Sequence, residues 1–139
     1  MGEGPGGERS FVDTDIFLYA IQGHPRFGET SEAILRRIDR EEEAVISSVT
    51  LAEICWWLER HGTVKEMEEK LKLVLSIFNL RVVPVDHKDF LKGARIIGEL
   101  GIDFNDCLTL AVMKRLGISR IYSNDSDFDG LDGIDRSFG

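Results

Sequence analysis

Two rhythms of apolar residues alternate along the chain. Short apolar runs, β-branched or aromatic and bounded by polar residues, stand at 10–13 ("SFVD"), 44–48 ("AVISS"), 80–85 ("LRVVPV") and 119–123 ("SRIYS"). Each predicts a strand, and a brief run near 134–136 predicts a last one. Between them the apolar positions recur at helical spacing. The pattern predicts helices over 15–21, 30–42 (Ala33, Ile34 and Ile38 between charges), 50–61, 63–78, 86–100 and 105–116. In the helix over 63–78, Met67, Leu71, Val74, Leu75 and Phe78 fall along one face. Punctuation agrees: "GHPRFGE" breaks the chain after the first helix, and Gly62, Gly101 and Gly117 stop later ones. Thr50 and Glu53 match the S/T-x-x-E capping box, and Pro84 fits a strand end or an edge strand.

Short apolar strands that alternate with helices predict an α/β fold, a three-layer α/β/α domain around a central, mainly parallel sheet of about four to five short strands. In such sheets function sits outside the carboxyl ends of the strands. A length of 139 residues predicts one domain, over 10–139, behind a Gly-rich flexible leader at 1–9. No apolar stretch reaches the roughly 20 residues needed to span a bilayer, and the leader lacks the basic end and apolar run of a signal peptide. Cys55 and Cys107 fall in predicted helices and form no metal-spaced pair, which fits a reducing cytoplasm.

A net charge of −8 weighs against nonspecific nucleic-acid binding. The basic clusters at Arg36, Arg37 and Arg40, at Lys88, Lys92 and Arg95, and at Lys114, Arg115 and Arg120 read as solvated helix faces. The adjacent Trp56 and Trp57 point about 100° apart on a helix, so both cannot face the side formed by Leu51, Ile54, Cys55 and Leu58. Either one Trp is exposed as an interface for a second subunit or another chain, or both pack beneath the following helix.

The acids carry the chemistry. Asp13 ends the first strand, Glu53 lies in the first turn after the second, Asp106 opens a helix, and Asp125 and Asp127 follow the fourth strand. A parallel sheet brings the strand-linked acids toward one edge. Crowded like charges need compensation, and hard oxygen ligands of this kind suit Mg²⁺ or Mn²⁺. Such a site activates a water and neutralises a phosphodiester. Each acid also has a structural reading. Glu53 completes the box with Thr50, Asp106 answers a helix dipole, the acids after 125 form a solvated turn, and Asp15 caps the first helix. Asp13 alone closes an apolar strand with no evident structural duty.

These segments resemble the motifs of the PIN-domain ribonucleases. "FVDTDIFLYA" resembles the opening motif, "SSVTLAEI" the second, "DFNDCLTLAVMKRLG" the third and "RIYSNDSDFDGL" the fourth, in the family's order and covering residues 10–139. The resemblance implies that Asp13, Glu53, Asp106 and Asp125 form a catalytic acidic pocket. Asp13, Asp106, Asp125 and Asp127 would hold the metal, with Thr14, Asp15 and Ser123 in support. Ser123 would help hold Asp13 or the water network, and Glu53 would orient or deprotonate the attacking water or help hold a second metal. It further implies RNA cleavage with Mg²⁺ or Mn²⁺, a homodimer, and the toxin role of short VapC-type members, with an antitoxin as partner. The opening motif departs from the common pattern at Asp15, where the family often has Asn, and this adds charge near the metal.

Two other functions are compatible with parts of the sequence. A PIN-like module that binds RNA or protein without catalysis would share the fold, but the acid set is complete. A phosphotransferase of the haloacid-dehalogenase kind also begins with Asp-x-Asp, as at Asp13 and Asp15, but Ser123 and its acids stand in the wrong order relative to a usable Lys. His24, His61 and His87 show no zinc-ligand spacing with the cysteines.

Overall fold

The computed structural model describes residues 8–62 and 64–139. The expected leader over 1–9 lies outside the described residues except for Glu8, which pairs with Arg120, and Arg9, whose guanidinium donates to Leu116 O. The strands are β1 (Ser10–Val12), β2 (Ala44–Ser47), β3 (Leu80–Val83), β4 (Arg120–Tyr122) and β5 (Asp135–Ser137). They form one five-stranded sheet in the order β3-β2-β1-β4-β5, and every neighbouring pair is parallel. The helices are α1 (Thr14–Gln22), α2 (Gly28–Arg40), α3 (Ser48–His61), α4 (Val64–Leu75), α5 (His87–Leu100) and α6 (Phe104–Leu116).

The three layers follow from the two-residue period of the central strands. Val12, Ala44, Ile46 and Tyr122 face one side of the sheet, where Ile16 and Phe17 of α1, Ile34 and Ile38 of α2, Ile54 and Leu58 of α3 and Val74 of α4 cover them. Phe11, Val45 and Ile121 face the other side and pack with Leu110, Val112 and Met113 of α6. Strands β1 and β2 are buried along their whole length, as central strands of a parallel sheet must be when both faces are covered. β3 and β5, at the edges, stay partly exposed, and Pro84 directly after β3 removes a donor beside one edge.

Helices α5 and α6 pack closely because of Gly93. A Cβ there would come within 3.2 Å of the Phe104 ring and 3.4 Å of the Leu108 backbone. The same pair is locked by Arg115 of α6, which donates to both oxygens of Asp89 of α5 at 2.9 Å and to Pro84 O at 3.0 Å. Gly101 and Gly117 end α5 and α6 at positive φ, as their positions predict.

Two local expectations are corrected, and the alternative left open for the tryptophans is resolved. The capping box of α3 lies one turn earlier than Thr50–Glu53. Ser47 Oγ accepts from the Val49 N–H, and Thr50 Oγ1 accepts from the Ser47 N–H, because Ser47 is the last extended residue of β2. Glu53 is thereby left free for other partners. Helix α4 stops at Leu75 rather than reaching Phe78, because the chain turns there to meet the end of α2. The Phe78 N–H donates to Asp39 Oδ1 at 2.8 Å, and Asn79 Nδ2 donates to Ile38 O at 2.8 Å. Val74, Met67 and Leu71 of its expected face reach the core, whereas Leu75 and Phe78 are exposed. Of the two tryptophans, Trp57 packs against the core and Trp56 faces outward.

Candidate active site

A fully parallel sheet opens every strand-to-helix turn at one edge. The chain steps outward from β1 to β2 and β3, then returns to place β4 on the other side of β1. That reversal leaves a crevice between the carboxyl ends of β1 and β4, the place where open α/β sheets take ligands. Asp13 follows β1 and Ser123 follows β4, so both stand at this crevice.

Asp13, and not Asp15, is the N-cap of α1. Asp13 is the last extended residue before the helix, so its carboxylate reaches the free N–H groups of the first turn. Its Oδ1 accepts from the Thr14 N–H at 2.9 Å, and its Oδ2 accepts from the Ser123 hydroxyl at 2.6 Å. The residue that lacked a structural duty in the sequence therefore has one. Burial raises its pKa, helped by the charges of Glu53 and Asp125 and opposed by the bonds from Ser123 and Thr14.

Asp15 stands inside the first turn. Its Oδ2 accepts from the Asn124 N–H at 3.0 Å, while Oδ1 is buried without a hydrogen-bond partner. Burial, and then the neighbouring Asp13 charge, push its pKa up to about 7.

Glu53, released from the helix cap, is held from two sides. Thr14 Oγ1 donates to Oε1 at 2.5 Å, and Asn105 Nδ2 donates to Oε2 at 2.6 Å. These bonds tie α1, α3 and the start of α6 together around one carboxylate. Ser123 performs a similar junction on the other side. Its hydroxyl donates to Asp13 and accepts from the Asp125 N–H at 3.0 Å, while Asp125 Oδ1 accepts from the Asp127 N–H at 2.9 Å. The loop after β4 is thus folded around its own acids.

Asp106, Asp125 and Asp127 each bring one carboxylate oxygen within 4.8 Å of the others. Asp13, grouped with them as a ligand by resemblance, lies outside this trio, with both its oxygens bonded. It remains close enough that its charge, after burial, is the next cause lifting Asp106 to about 8, followed by Asp125, Asp103 and Asp127. Among the described residues no Lys or Arg pairs with any of the three. Three carboxylates without a salt bridge, two partly exposed and Asp127 exposed, form a hard-oxygen donor set, and that set fits Mg²⁺ or Mn²⁺.

The sequence reading missed three groups here. Asn105 is adjacent to Asp106 in the motif and was within reach of that reading. Asn124 acts through its backbone N–H and donates from its side chain to the Tyr19 hydroxyl. Arg136 of β5 donates to Ser123 O at 3.1 Å and grips both oxygens of Asp129, which braces the acid-bearing loop. No sequence signal announces Arg136, because its role depends on β5 pairing with β4.

Comparison with known proteins follows the same lines. The sequence profile of the PIN domain matches residues 10–134. No curated protein matches the sequence. Among solved structures, VapBC2 of Rickettsia felis, bound to a DNA fragment from its promoter, is 21% identical, with 93% of this chain and 97% of that chain covered at a TM-score of 0.73. VapC20 of Mycobacterium tuberculosis, a toxin that cleaves the sarcin–ricin loop, is 21% identical, with coverage of 89% and 97% and a TM-score of 0.73. A toxin–antitoxin complex from Klebsiella pneumoniae is 16% identical, with coverage of 91% and 95% and a TM-score of 0.69. At these identities the structures share the fold.

Proposed function

The chain belongs to the PIN domain family, and from that premise we propose that it is a divalent-metal-dependent endoribonuclease that hydrolyses RNA phosphodiester bonds. The observation that carries the reading is the open trio of Asp106, Asp125 and Asp127 at the carboxyl edge of the sheet. These three acids, with Asp13 beside them, hold Mg²⁺ or Mn²⁺. A divalent cation held by these residues would supply charge neutralisation at a phosphodiester and acidify a water molecule.

The remaining work belongs to the side chains. Glu53, oriented through both its oxygens by Thr14 and Asn105, aligns the attacking water and takes its proton. Ser123 fixes Asp13 relative to the loop of Asp125, so acids from two strands keep one spacing. Asp127 tunes the site from its exposed rim, and Asp15 adds a half-buried carboxyl whose Oδ1 has no hydrogen-bond partner.

The wider role proposed is that of a VapC-type toxin with a protein antitoxin, supported by the likeness to structures of toxin–antitoxin complexes. A homodimer is supported by Phe90, Ile97 and Leu100, which lie exposed at helical spacing on α5. Among the described residues no helix is long and apolar enough to cross a membrane, and Cys55 and Cys107 are both free thiols. The free thiols support a cytoplasmic setting.

The test is cleavage of RNA by the purified chain with Mn²⁺, with EDTA, and as the Asp106→Asn variant, with the products sequenced. Cleavage that needs Mn²⁺ and disappears in the variant is expected. Undiminished cleavage by Asp106→Asn would remove the assignment.

A further inference from the structure

Helix α3 carries the two tryptophans of the chain side by side near its end. Trp57 turns inward and stacks on His61, with ring centroids 4.7 Å apart and planes inclined by 19°. His61 Nδ1 lies 3.2 Å from Trp57 O, within hydrogen-bond distance. Trp56 turns outward and is 56% exposed, although it is the largest apolar side chain type available for burial.

Trp56 lines an open cleft of about 370 Å³, a size ordinary for small-ligand sites. Thr14, Asp15 and Glu53 form the inner end of this cleft, so it is continuous with the acid site. Arg60 and His61 form the outer end, in the last turn of α3. Arg60 makes no ion pair or hydrogen bond among the described residues. On a chain of net charge −8, an unpaired Arg beside an exposed Trp and an acidic catalytic edge is a specific arrangement.

We propose that this cleft is a subsite for single-stranded RNA, in which a base next to the scissile phosphate stacks on Trp56 and a flanking phosphate meets Arg60. The inference rests on the ribonuclease reading and names how the substrate is held. The chemistry alternates as a single strand does. With a divalent cation held at the acid edge the reacting phosphate would lie there, while the aromatic face takes an unstacked base and Arg60 takes a further phosphate. The alternative occupant is a protein segment seated on Trp56, and RNA affinity that is independent of Trp56 would favour it. Stacking on one Trp is tolerant of base identity, since every base presents a π-face.

Binding of short single-stranded RNA carrying a 5′ fluorophore is measured by fluorescence anisotropy on the Asp106→Asn chain in Mg²⁺, where cleavage is suppressed. A saturable rise in anisotropy is expected, with affinity about tenfold lower in an added Trp56→Leu change and near the starting value in Trp56→Phe. Arg60→Gln should reduce the salt dependence of log Kd by about one phosphate contact, a slope change of about 0.7. A strand made abasic throughout should bind like the Trp56→Leu protein. Equal affinity of Trp56→Leu and its parent, equal binding of abasic and normal strands, or no RNA binding at all overturns the subsite. Trp56-dependent binding by a wild-type chain that fails to cleave RNA with Mn²⁺ leaves the subsite standing and removes the ribonuclease reading instead.

Discussion

Two aspartates occupy the same helical position on neighbouring helices and meet opposite fates. Asp89 is the third residue of α5 and Asp106 the third residue of α6. Asp89 is buried and closed: the Arg115 guanidinium grips both its oxygens, and this bond holds its pKa below the ordinary carboxylate range. Asp106 is partly exposed and open. Burial without a cation, together with Asp13 and the acids of the β4 loop, pushes it up to about 8. A helix N-terminus alone does not make an acid functional. The difference lies in what faces the carboxylate, a fixed cation in one case and a ring of further acids in the other.

The largest effect is expected at the open carboxylates. Asp125→Asn should lower Mn²⁺-dependent RNA cleavage on the order of 10³-fold, by loss of charge aimed at the reacting phosphate. Its thermal unfolding midpoint without metal should stay within a few degrees of wild type, which differential scanning fluorimetry reads. Arg115→Gln should do the reverse. It strands a buried carboxylate and should cost about 3 kcal/mol of unfolding free energy in urea, while Mn²⁺-dependent cleavage by the folded protein persists.

Acidity sharpens the contrast. The folded pKa of Asp89 is depressed, so its contribution is present above the unfolded value near 4 and is lost as pH falls through the lower folded value. The stability gap between wild type and Asp89→Asn, about 2 kcal/mol at pH 7, should therefore shrink in urea titrations as pH falls below about 4. The smallest expected effect belongs to the hinge between the acids. Ser123→Ala removes the donor to Asp13 and the acceptor of the Asp125 N–H. About 1 kcal/mol of stability and about tenfold in Mn²⁺-dependent cleavage should go with it.

The fold was legible because its rhythm is strong. Phe11 and Val12, or Val45 and Ile46, send alternate residues to two covered faces, and such runs read as central parallel strands. The ends of elements were less legible, since tertiary contacts decide them. Asp39 and Ile38 capture Phe78 and Asn79 and cut α4 short, an event written in residues 39 positions away or more. In the candidate site, the positions of the acids at one edge followed from the parallel sheet. The division of labour did not, because Asp13 and Asp15 look alike in "FVDTDIFLY". Only the turn from extended to helical backbone shows that Asp13 caps α1 while Asp15 sits behind it with an unpartnered oxygen. Arg136 was invisible for the same reason as Phe78, because its partner Ser123 is distant in sequence and near only once β5 pairs with β4.

The open trio of Asp106, Asp125 and Asp127 is proposed to hold a divalent cation. Calorimetric titration of Mn²⁺ into the metal-free chain tests it directly, beside the Asp106→Asn and Asp89→Asn variants. Saturable binding is predicted for wild type and for Asp89→Asn, with affinity lowered about 100-fold in Asp106→Asn. Wild-type protein that takes up no Mn²⁺, or an Asp106→Asn chain that binds it as tightly as wild type, would contradict the account.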